Sequence, residues 1–365
     1  MARPMLADAE LVLKAFEGRE DEINTCIGCN QACLDHGFEG KEISCLVNPR
    51  ALSETVLNYD PTAMPKSIAV VGAGPAGLAY ATVAAQRGHS VTLFDAGSEI
   101  GGQFNLAKQV PGKEEFYETL RYYSRMLEVN RVTVNLNTTV CAEDLKSGGF
   151  DHVVVATGIT PRTPEIEGID HPKAASYIDV IRGNVEVGKT VAVMGAGGIG
   201  FDVSELIMHK GVSAAMDKEV FAREWGIDFA NHPRGGVTGV VPQVEAADRQ
   251  VFLLQRKSTP VGRGLGKTTG WTHRMSLAKR GVQMMNGLEY TKIDDQGLHI
   301  SIDGVAQVLE VDTVIICAGQ LPKRDLFDQL SDSGIATSLI GGAFEASELD
   351  AKAAIKQASY LAAEI

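Results

Sequence analysis

The spacing of hydrophobic and polar residues changes near residue 67. Before it, residues 5–20 (MLADAELVLKAFEGRE) carry apolar side chains at helical spacing, which predicts one short amphipathic helix ahead of an irregular, proline-containing stretch. After it, SIAVVGAGPAGLAYATVAAQRGHSVTLFDA alternates apolar runs with a helical pattern and predicts strand, glycine turn, helix and strand. This is a βαβ unit, which indicates an α/β protein with a parallel sheet.

A second unit of the same kind begins at TVAVMGAGGIGFDVSELIMHKG and continues at the apolar run QVFLLQRK. The turn-rich residues 217–250 between them predict a surface excursion. The runs HVVVATGI and VDTVIICAGQ end in similar turns, and the chain closes with a strand that leads into a helix. The order predicts two Rossmann-like dinucleotide-binding domains: residues 185–310 inserted into 67–184 plus 311–365, all preceded by an N-terminal segment of residues 1–66.

The first glycine motif, Gly72-x-Gly74-x-x-Gly77, follows the strand IAVV, and Asp95 ends the next strand. Glycines permit a tight turn and close approach of the backbone to a pyrophosphate, and the following helix offers its N-terminal amides. A carboxylate at the second strand end accepts hydrogen bonds from ribose hydroxyls. A glycine-rich turn without a ligand is the alternative, but strand, helix and acid in this order favour dinucleotide binding.

The second motif is Gly195-x-Gly197-x-x-Gly200, and the next strand ends in Arg256 and Lys257 instead of an acid. Two cations at this position can hold a 2′-phosphate, which favours NADPH over NADH. A solvated basic pair is the alternative.

Four of the six cysteines follow the spacing Cys26-x2-Cys29-x3-Cys33-x11-Cys45. Four thiolates this close can bind zinc or a [4Fe–4S] cluster, and the lack of two matched CxxC pairs favours iron–sulfur. A redox CxxC of thioredoxin type is disfavoured because the segment has no βαβ context. The N-terminal segment is therefore predicted to be built around a metal cluster.

Other reactive residues carry less weight. Cys141 and Cys317 lie in or beside apolar runs and are expected to be buried small residues. His273, within GWTHR, is expected to be structural. The segment GLGKTTG resembles the end of a phosphate-binding P-loop, but Val261 stands where the first glycine belongs, so a P-loop is rejected.

Charge and composition narrow the class of protein further. The 365 residues include 34 Lys and Arg against 46 Asp and Glu, a net charge of −12, which disfavours nucleic acid and anionic membranes as partners. No apolar run approaches the roughly 18–20 residues of a membrane span, and the N-terminus has no signal pattern. The expected compartment is the cytoplasm.

Several segments together resemble a known family. CIGCNQACLD, SCLVNPRA, VVGAGPAGLA, EIGGQFN, PGKEEFYETLRYY, GLGKTTGW and VIICAGQ resemble the C-terminal half of bacterial NADPH-dependent 2,4-dienoyl-CoA reductases, in the NADH:flavin oxidoreductase and trimethylamine dehydrogenase-like class. The resemblance covers essentially the whole chain. It implies a disulfide-reductase-like pair of nucleotide domains that bind FAD and NADPH, preceded by a [4Fe–4S] segment.

The resemblance also implies roles for single residues. The four N-terminal cysteines become cluster ligands, and Arg256 and Lys257 meet the NADP phosphate. Phe344 departs from the family, which often has an acid soon after its terminal glycine pair, so contact with the flavin ribityl chain would depend on Glu345 or on residues 348–350. The other implied cofactor-binding residues are Gly72, Gly74, Ala76, Gly77, Asp95, Gln103, Lys113, Val140, Gly158, Gly195, Gly197, Gly200, Gly319, Gly341, Gly342 and Asp350.

Members of the family carry an N-terminal (β/α)8 barrel for FMN and acyl-CoA that this sequence lacks, and MARPMLAD resembles the end of that barrel. FMN is therefore not expected. The sequence predicts an electron-transfer module, from NADPH to FAD to cluster, that oxidises NADPH but does not reduce a dienoyl-CoA alone. An electron-donating subunit like the small subunit of glutamate synthase, serving a separate barrel protein or other acceptor, and an inactive fragment that only binds remain alternatives. A disulfide reductase is disfavoured, because no cysteine lies between Cys141 and Cys317.

Overall fold

The computed structural model describes residues 1–231, 237–245, 247–331, 333–346 and 350–365. These residues form two compact units. The first comprises Met1–Asn105, Glu115–Thr160 and Gln320–Ile365, and the second comprises Leu106–Glu114 and Pro161–Gly319. The binding of FAD to one unit and of NADPH to the other stays a prediction.

The N-terminal segment contains short helices instead of one. The prediction of a single helix over residues 5–20 is wrong, because the chain breaks at Asp8. The Asp8 carboxylate accepts hydrogen bonds from the Glu10 amide at 2.9 Å and from Lys14 Nζ at 2.7 Å, and these bonds hold the turn. The elements here are α1 (Arg3–Ala7), α2 (Leu11–Phe16), a π-helical turn (Gln31–Asp35) and α3 (His36–Phe38).

The first βαβ unit forms as the hydrophobic pattern predicts. Cys141, expected to be buried, is exposed, because it immediately precedes a helix at the surface and not an apolar strand. The elements from 67 to 161 are β1 (Ser67–Val71), α4 (Pro75–Gln86), β2 (Ser90–Phe94), α5 (Phe104–Ala107), α6 (Phe116–Val129), β3 (Thr133–Asn135), α7 (Ala142–Ser147), β4 (His152–Val155) and β5 (Ile159–Pro161).

The second unit repeats the strand, glycine turn and helix order and adds an antiparallel sheet. Among its described residues, the turn-rich excursion includes the helix α10. The elements are β6 (Ala174–Ser176), α8 (Tyr177–Arg182), β7 (Thr190–Met194), α9 (Gly198–Met208), α10 (Lys218–Trp225), β8 (Gln250–Gln255), α11 (Gly270–Lys279), β9 (Gln283–Asn286), β10 (Leu288–Asp294), β11 (Gly297–Ile302), β12 (Val305–Leu309) and β13 (Thr313–Ile316).

The C-terminal segment completes the first unit. Its elements are β14 (Gln320–Pro322), α12 (Asp325–Leu330), β15 (Ala336–Leu339), a 3-10 turn (Gly341–Ala343) and α13 (Ala351–Glu364). In the described part of the chain the first sheet has the order β15-β4-β1-β2-β3 and the second β6-β13-β7-β8-β9, and the pairings within both are parallel. Strands β10, β11 and β12 form an antiparallel sheet, and β14 pairs with β5.

Both parallel sheets have cores on their two faces, as continuous apolar strands require. In the first sheet, Ile68 and Val70 pack with α4 and α13 on one face, and Ala69 and Val71 pack on the other. In the second sheet, alternate residues of β7 likewise enter two separate clusters. The predicted α/β architecture of two Rossmann-like domains is confirmed. None of the described helices is both long enough and apolar enough to cross a membrane.

Candidate functional site

The first glycine motif forms a tight turn between β1 and α4. Gly72 has a φ of +110°, and a Cβ at this position would lie 2.3 Å from the Ala156 carbonyl oxygen. A Cβ on Gly77 would lie 1.8 Å from the Gly72 carbonyl oxygen. Neither site can accept a side chain. Helix α4 begins directly after Gly74 with Pro75, which has no N–H, so the amides without intrahelical acceptors that are available to an anion are those of Ala76 and Gly77.

Two further predicted residues are tied to this turn. Asp95 follows β2, and its carboxylate accepts hydrogen bonds from the Ala73 amide at 2.6 Å and the Gly97 amide at 2.7 Å. Gly102 contacts the turn so closely that a Cβ there would lie 2.9 Å from Gly74 Cα. Gln103 comes next and is half-buried. The structure thus brings the Gly72–Gly77 turn, Asp95 and Gln103 into one place.

The terminal glycine pair also reaches this turn. Gly341 has a φ of +63°, and a Cβ there would lie 2.7 Å from the Ala76 Cβ. Its amide donates to Gln357 Oε1 at 2.8 Å. A Cβ on Gly342 would lie 3.4 Å from the backbone of Gly158, so the glycine after β4 belongs to the same cluster.

The sequence also singles out Val140, Asp350 and Phe344 in the first unit. Val140 packs with the hydrophobic cluster that contains Val71 on one face of the first sheet. Asp350 accepts a hydrogen bond from the Lys352 amide at 2.8 Å and caps α13. Phe344 is 52% exposed. Of the acids expected to compensate for Phe344, Glu348 lies outside the described residues.

The second glycine motif reproduces the first in the other unit. Gly195 has a φ of +115°, with the Cys317 carbonyl oxygen 2.3 Å from where its Cβ would be, and a Cβ on Gly200 would lie 1.9 Å from the Gly195 carbonyl oxygen. Helix α9 starts directly after Gly197, around whose Cβ position no described atom lies within 4 Å. Gly319 has a φ of +104°. The same turn geometry therefore occurs once in each unit.

Arg256 and Lys257 directly follow β8, the strand next to β7, and both are exposed. Among the residues that the structure describes, neither head group makes an ion pair. Their positive charge is therefore available to an anionic group at this end of the strand.

Lys113 belongs to the second unit, and its Nζ lies 2.6 Å from Asp202 Oδ2 on the second turn of α9. Asp202 was not predicted from the sequence. The only signal was an acid two residues after the last glycine of the motif, a place where it would lie on the helix beside the glycine turn.

Glu205, one turn further along α9, was also not predicted. Its carboxylate accepts a hydrogen bond from Ser276 Oγ at 3.2 Å and lies 4.0 Å from His273 Nδ1. Burial raises the pKa of Glu205 to about 7, although the nearby Arg280 guanidinium opposes that rise. Burial lowers the pKa of His273. Helix α9 therefore carries, at Glu205, a carboxyl group whose pKa lies near neutral pH.

The four N-terminal cysteines line one cavity of the first unit. The Gln31 amide donates to the Cys29 sulfur, and the Val47 and Asn48 amides donate to the Cys45 sulfur. Burial raises the pKa of Cys29 to about 11 and also raises that of Cys45. Within the described residues, no group of three or more His, Cys, Asp or Glu side chains is arranged to hold a single metal ion. Four cysteines that line the same cavity, with backbone amides that donate to two of their sulfurs, suit an iron–sulfur cluster better than a single metal ion. The residues therefore fit a cluster, and its presence stays a prediction.

Comparisons with known proteins agree with this arrangement. The sequence model described as Pyridine nucleotide-disulphide oxidoreductase matches residues 66–344. A metal reductase of Desulforamulus reducens is 32% identical over 94% of this chain and 51% of its own length, and a cinnamate reductase of Clostridium sporogenes is 27% identical over 94% and 46%. A solved 2-naphthoyl-CoA reductase complex is 27% identical with a TM-score of 0.85, over 100% of this chain and 50% of its own. The chain therefore spans about half the length of these relatives, and the expected resemblance to the C-terminal part of multi-cofactor flavin reductases is confirmed.

Proposed function

Because this chain belongs to the pyridine nucleotide-disulphide oxidoreductase family, we propose that it is an NADPH-oxidising flavoprotein module that delivers electrons from NADPH, by way of FAD, to a [4Fe–4S] cluster. The observation that carries the proposal is the repeated glycine turn, once beside Ala156 and once beside Cys317. One dinucleotide site in each unit is what transfer between two dinucleotides requires. When bound, NADPH supplies a hydride, FAD accepts it, and the cluster passes on single electrons.

We assign FAD to the first unit. The α4 amides after Gly74 would hold the pyrophosphate, and Asp95 would accept a hydrogen bond from a ribose hydroxyl in addition to those from the loop amides. Gln103 and Gly341 would border the same site, because Gly102, the residue before Gln103, and Gly341 itself both lie against the glycine turn. The family resemblance also proposes Lys113 for the flavin; this lysine belongs to the second unit, where it pairs with Asp202.

We assign NADPH to the second unit. The α9 amides after Gly197 would bind its pyrophosphate, and the open space at that glycine leaves room for the close approach. Arg256 and Lys257 would attract the 2′-phosphate that distinguishes NADPH from NADH. Gly319, at the turn after β13, would border the same dinucleotide.

We assign the cluster to Cys26, Cys29, Cys33 and Cys45. The amides of Gln31, Val47 and Asn48 would stabilise charge on the ligand sulfurs, because each donates to a cysteine sulfur. Hydrogen bonds of this kind set the potential of an iron–sulfur centre.

The final acceptor is a finer proposal. Resemblance to 2,4-dienoyl-CoA reductases favours the double bond of an unsaturated acyl-CoA of fatty acid β-oxidation, reduced at an FMN-binding barrel outside these 365 residues. Support comes from the similarity to a solved 2-naphthoyl-CoA reductase, which is in complex with an aromatic acyl-CoA.

The first experiment is an anaerobic absorbance spectrum of the purified chain, with iron and sulfide counted, before and after NADPH. We expect flavin and cluster absorbance that both bleach. Gly77→Ala should lose flavin, because its Cβ would meet the Gly72 oxygen at 1.8 Å, whereas Gly200→Ala should keep flavin but not respond to NADPH. Wild-type chain that contains flavin but is not bleached by NADPH would contradict the proposal.

A further inference from the structure

Asn24 is a buried polar residue, only 5% exposed, that lies two positions before the first cysteine of the cysteine cavity. Its backbone amide donates to Asp8 Oδ2 at 2.9 Å, and its side-chain Nδ2 donates to the Val47 carbonyl oxygen at 2.9 Å. Because a carbonyl oxygen can only accept hydrogen bonds, the second contact requires the nitrogen of the side-chain amide on this side. Asn24 therefore joins the segment that carries Cys26 to the segment that carries Cys45.

The side chain of Asn24 acts on a peptide group that also contacts a cysteine sulfur. The Val47 carbonyl and the Asn48 N–H belong to the same planar peptide group. That N–H donates to the Cys45 sulfur. A hydrogen bond accepted by a peptide carbonyl polarises the group and strengthens the bond that its N–H donates. The Asn24 amide thus strengthens the hydrogen bond to Cys45 without contacting the sulfur itself.

Both ends of this arrangement are fixed by further hydrogen bonds. Asp8 Oδ2 also accepts a hydrogen bond from the buried ammonium of Lys14 at 2.7 Å, so the carboxylate that holds the Asn24 backbone is itself held. Asn48 Nδ2 donates to the Leu6 carbonyl oxygen at 2.9 Å, which fixes the residue whose amide reaches the sulfur. The donor side of Asn24 and the sulfur-bound amide therefore have one defined geometry.

The other side of the Asn24 amide gains nothing from burial. Its Oδ1 is buried and has no hydrogen-bond partner among the described atoms. The amide thus pairs one carbonyl oxygen and leaves its own oxygen unpaired, so hydrogen bonding at this place gives the fold little net stability. Polarisation of the peptide group beside Cys45 is the property that an apolar side chain of similar size could not supply.

We propose that Asn24 is a positioning residue for the [4Fe–4S] cluster and that its hydrogen bond to the Val47–Asn48 peptide group raises the reduction potential of that cluster. Reduction adds one electron to the cluster, and stronger N–H donation to a ligand sulfur stabilises the added negative charge. A higher potential favours the movement of that electron from reduced flavin to the cluster. The inference rests on the proposed function and deepens it, because it names a residue outside the ligand set that controls this step.

The test is an anaerobic redox titration of the full chain with mediator dyes. The electron paramagnetic resonance signal of the reduced cluster and the flavin absorbance are followed separately. Asn24→Leu keeps a neutral side chain of similar size without a donor, and Asn24→Ala removes the donor without overpacking the site. At a fixed applied potential, we expect the ratio of reduced to oxidised cluster to fall about tenfold in both variants, which corresponds to about 59 mV for one electron. The flavin potential should not change.

Asn130→Leu is the matched control. Asn130 lies in the same unit and makes the same kind of bond, from Nδ2 to the Met126 carbonyl oxygen at 2.8 Å, but it does not line the cysteine cavity. Its cluster should titrate as that of the wild type does. Circular dichroism, flavin content and iron and sulfide counts of each variant show that folded, loaded proteins are compared.

The inference is overturned if neither Asn24 variant yields a cluster of lowered potential. Iron retained at the wild-type potential would show that the peptide group needs no help from Asn24, and iron lost from both folded variants would show that Asn24 serves assembly only. A wild-type chain with flavin but without iron and sulfide would reject the cluster and this inference with it. The expected shift in potential, without bleaching of flavin by NADPH, would reject the proposed electron transfer and support the role of Asn24.

Discussion

At the scale of single residues, the first glycine of each turn is under the same steric constraint in both units. Gly72 and Gly195 each have a φ above +100°. Gly72 lies against the carbonyl oxygen of Ala156, directly after β4, and Gly195 lies against that of Cys317, directly after β13. A Cβ on either glycine would lie only 2.3 Å from that carbonyl oxygen. Sequence alone predicts these positions, because strand, glycine spacing and helix follow one another along the chain.

Burial of Glu205 gives the stability of the second unit a pH dependence. Its pKa is raised from 4.5 to about 7, so between these values the folded chain keeps a proton that the unfolded chain releases. Stability contributed by this group therefore falls as pH rises through that window. At about 1.4 kcal/mol for each pH unit between the two pKa values, the charged carboxylate costs roughly 3 kcal/mol above pH 7.

We expect Glu205→Gln to raise the free energy of unfolding at pH 8 by about 1–3 kcal/mol, since the amide keeps the Ser276 hydrogen bond without a buried charge. At pH 4 the gain should nearly vanish. Urea unfolding at both pH values measures it, with Glu219→Gln, at an exposed position on α10, as the control. A gain of the same size at both pH values would show that protonation of Glu205 is not the cause.

Arg256 provides a test of nucleotide preference. Its side chain is exposed directly after β8, so removing it should disturb a 2′-phosphate and little else. We expect Arg256→Ala to lower kcat/KM for NADPH by about tenfold and to leave that for NADH unchanged, as the loss of one charge-assisted hydrogen bond predicts. Steady-state dye reduction with each nucleotide measures the ratio. Equal losses with both nucleotides would count against a phosphate contact.

At the scale of elements, predictions succeeded where neighbours in sequence decide the structure and failed where distant residues do. The strand and helix around each glycine turn were predicted. The break between α1 and α2 was not, because it depends on Asp8 accepting the Asn24 amide, 16 residues away, as well as Lys14. The Lys113–Asp202 pair joins residues 89 apart, and no local pattern marks either as a partner of the other.

The break between α1 and α2 depends on a buried ion pair. Side chains of Lys14 and Asp8 are only 11% and 6% exposed, and the Asp8 carboxylate also holds the Asn24 amide at 2.9 Å. Asp8→Ala should lower the free energy of unfolding by about 3–5 kcal/mol, because it leaves a buried, unpaired ammonium. Adding Lys14→Met should recover part of the loss. Chemical denaturation of the single and double variants measures both, and a double variant as unstable as Asp8→Ala would argue against the ion pair.

At the scale of the whole molecule, the cysteine cavity belongs to the same unit as the first glycine turn. Cys26, Cys29 and Cys45 pack against the hydrophobic core that also contains Ile68 and Val70 of β1. A cluster held there would share its supporting core with the proposed flavin site. Because the two sites use different residues, each should be removable without the other.

Substitution of one cysteine tests that separation. Cys33→Ser replaces a cavity-lining sulfur by an oxygen of weaker affinity for iron and leaves the glycine turn untouched. We expect bound iron and sulfide to fall severalfold, while flavin content and its bleaching by NADPH persist. Cys141→Ser, at an exposed cysteine outside the cavity, is the matched control and should keep full iron content. Equal iron content in both variants would remove Cys33 from the ligand set.

The half-length match to the relatives leads to the last prediction. Their activities belong to chains about twice as long, so the acceptor chemistry need not reside in these residues. We expect the cofactor-loaded chain to reduce a one-electron dye with NADPH, because each unit contains a glycine turn that can bind a dinucleotide. It should not consume a 2,4-dienoyl-CoA, which is measured by the loss of diene absorbance. NADPH-dependent loss of that absorbance with this chain alone would mean that it contains an acyl-CoA site, and the electron-transfer proposal would then be too narrow.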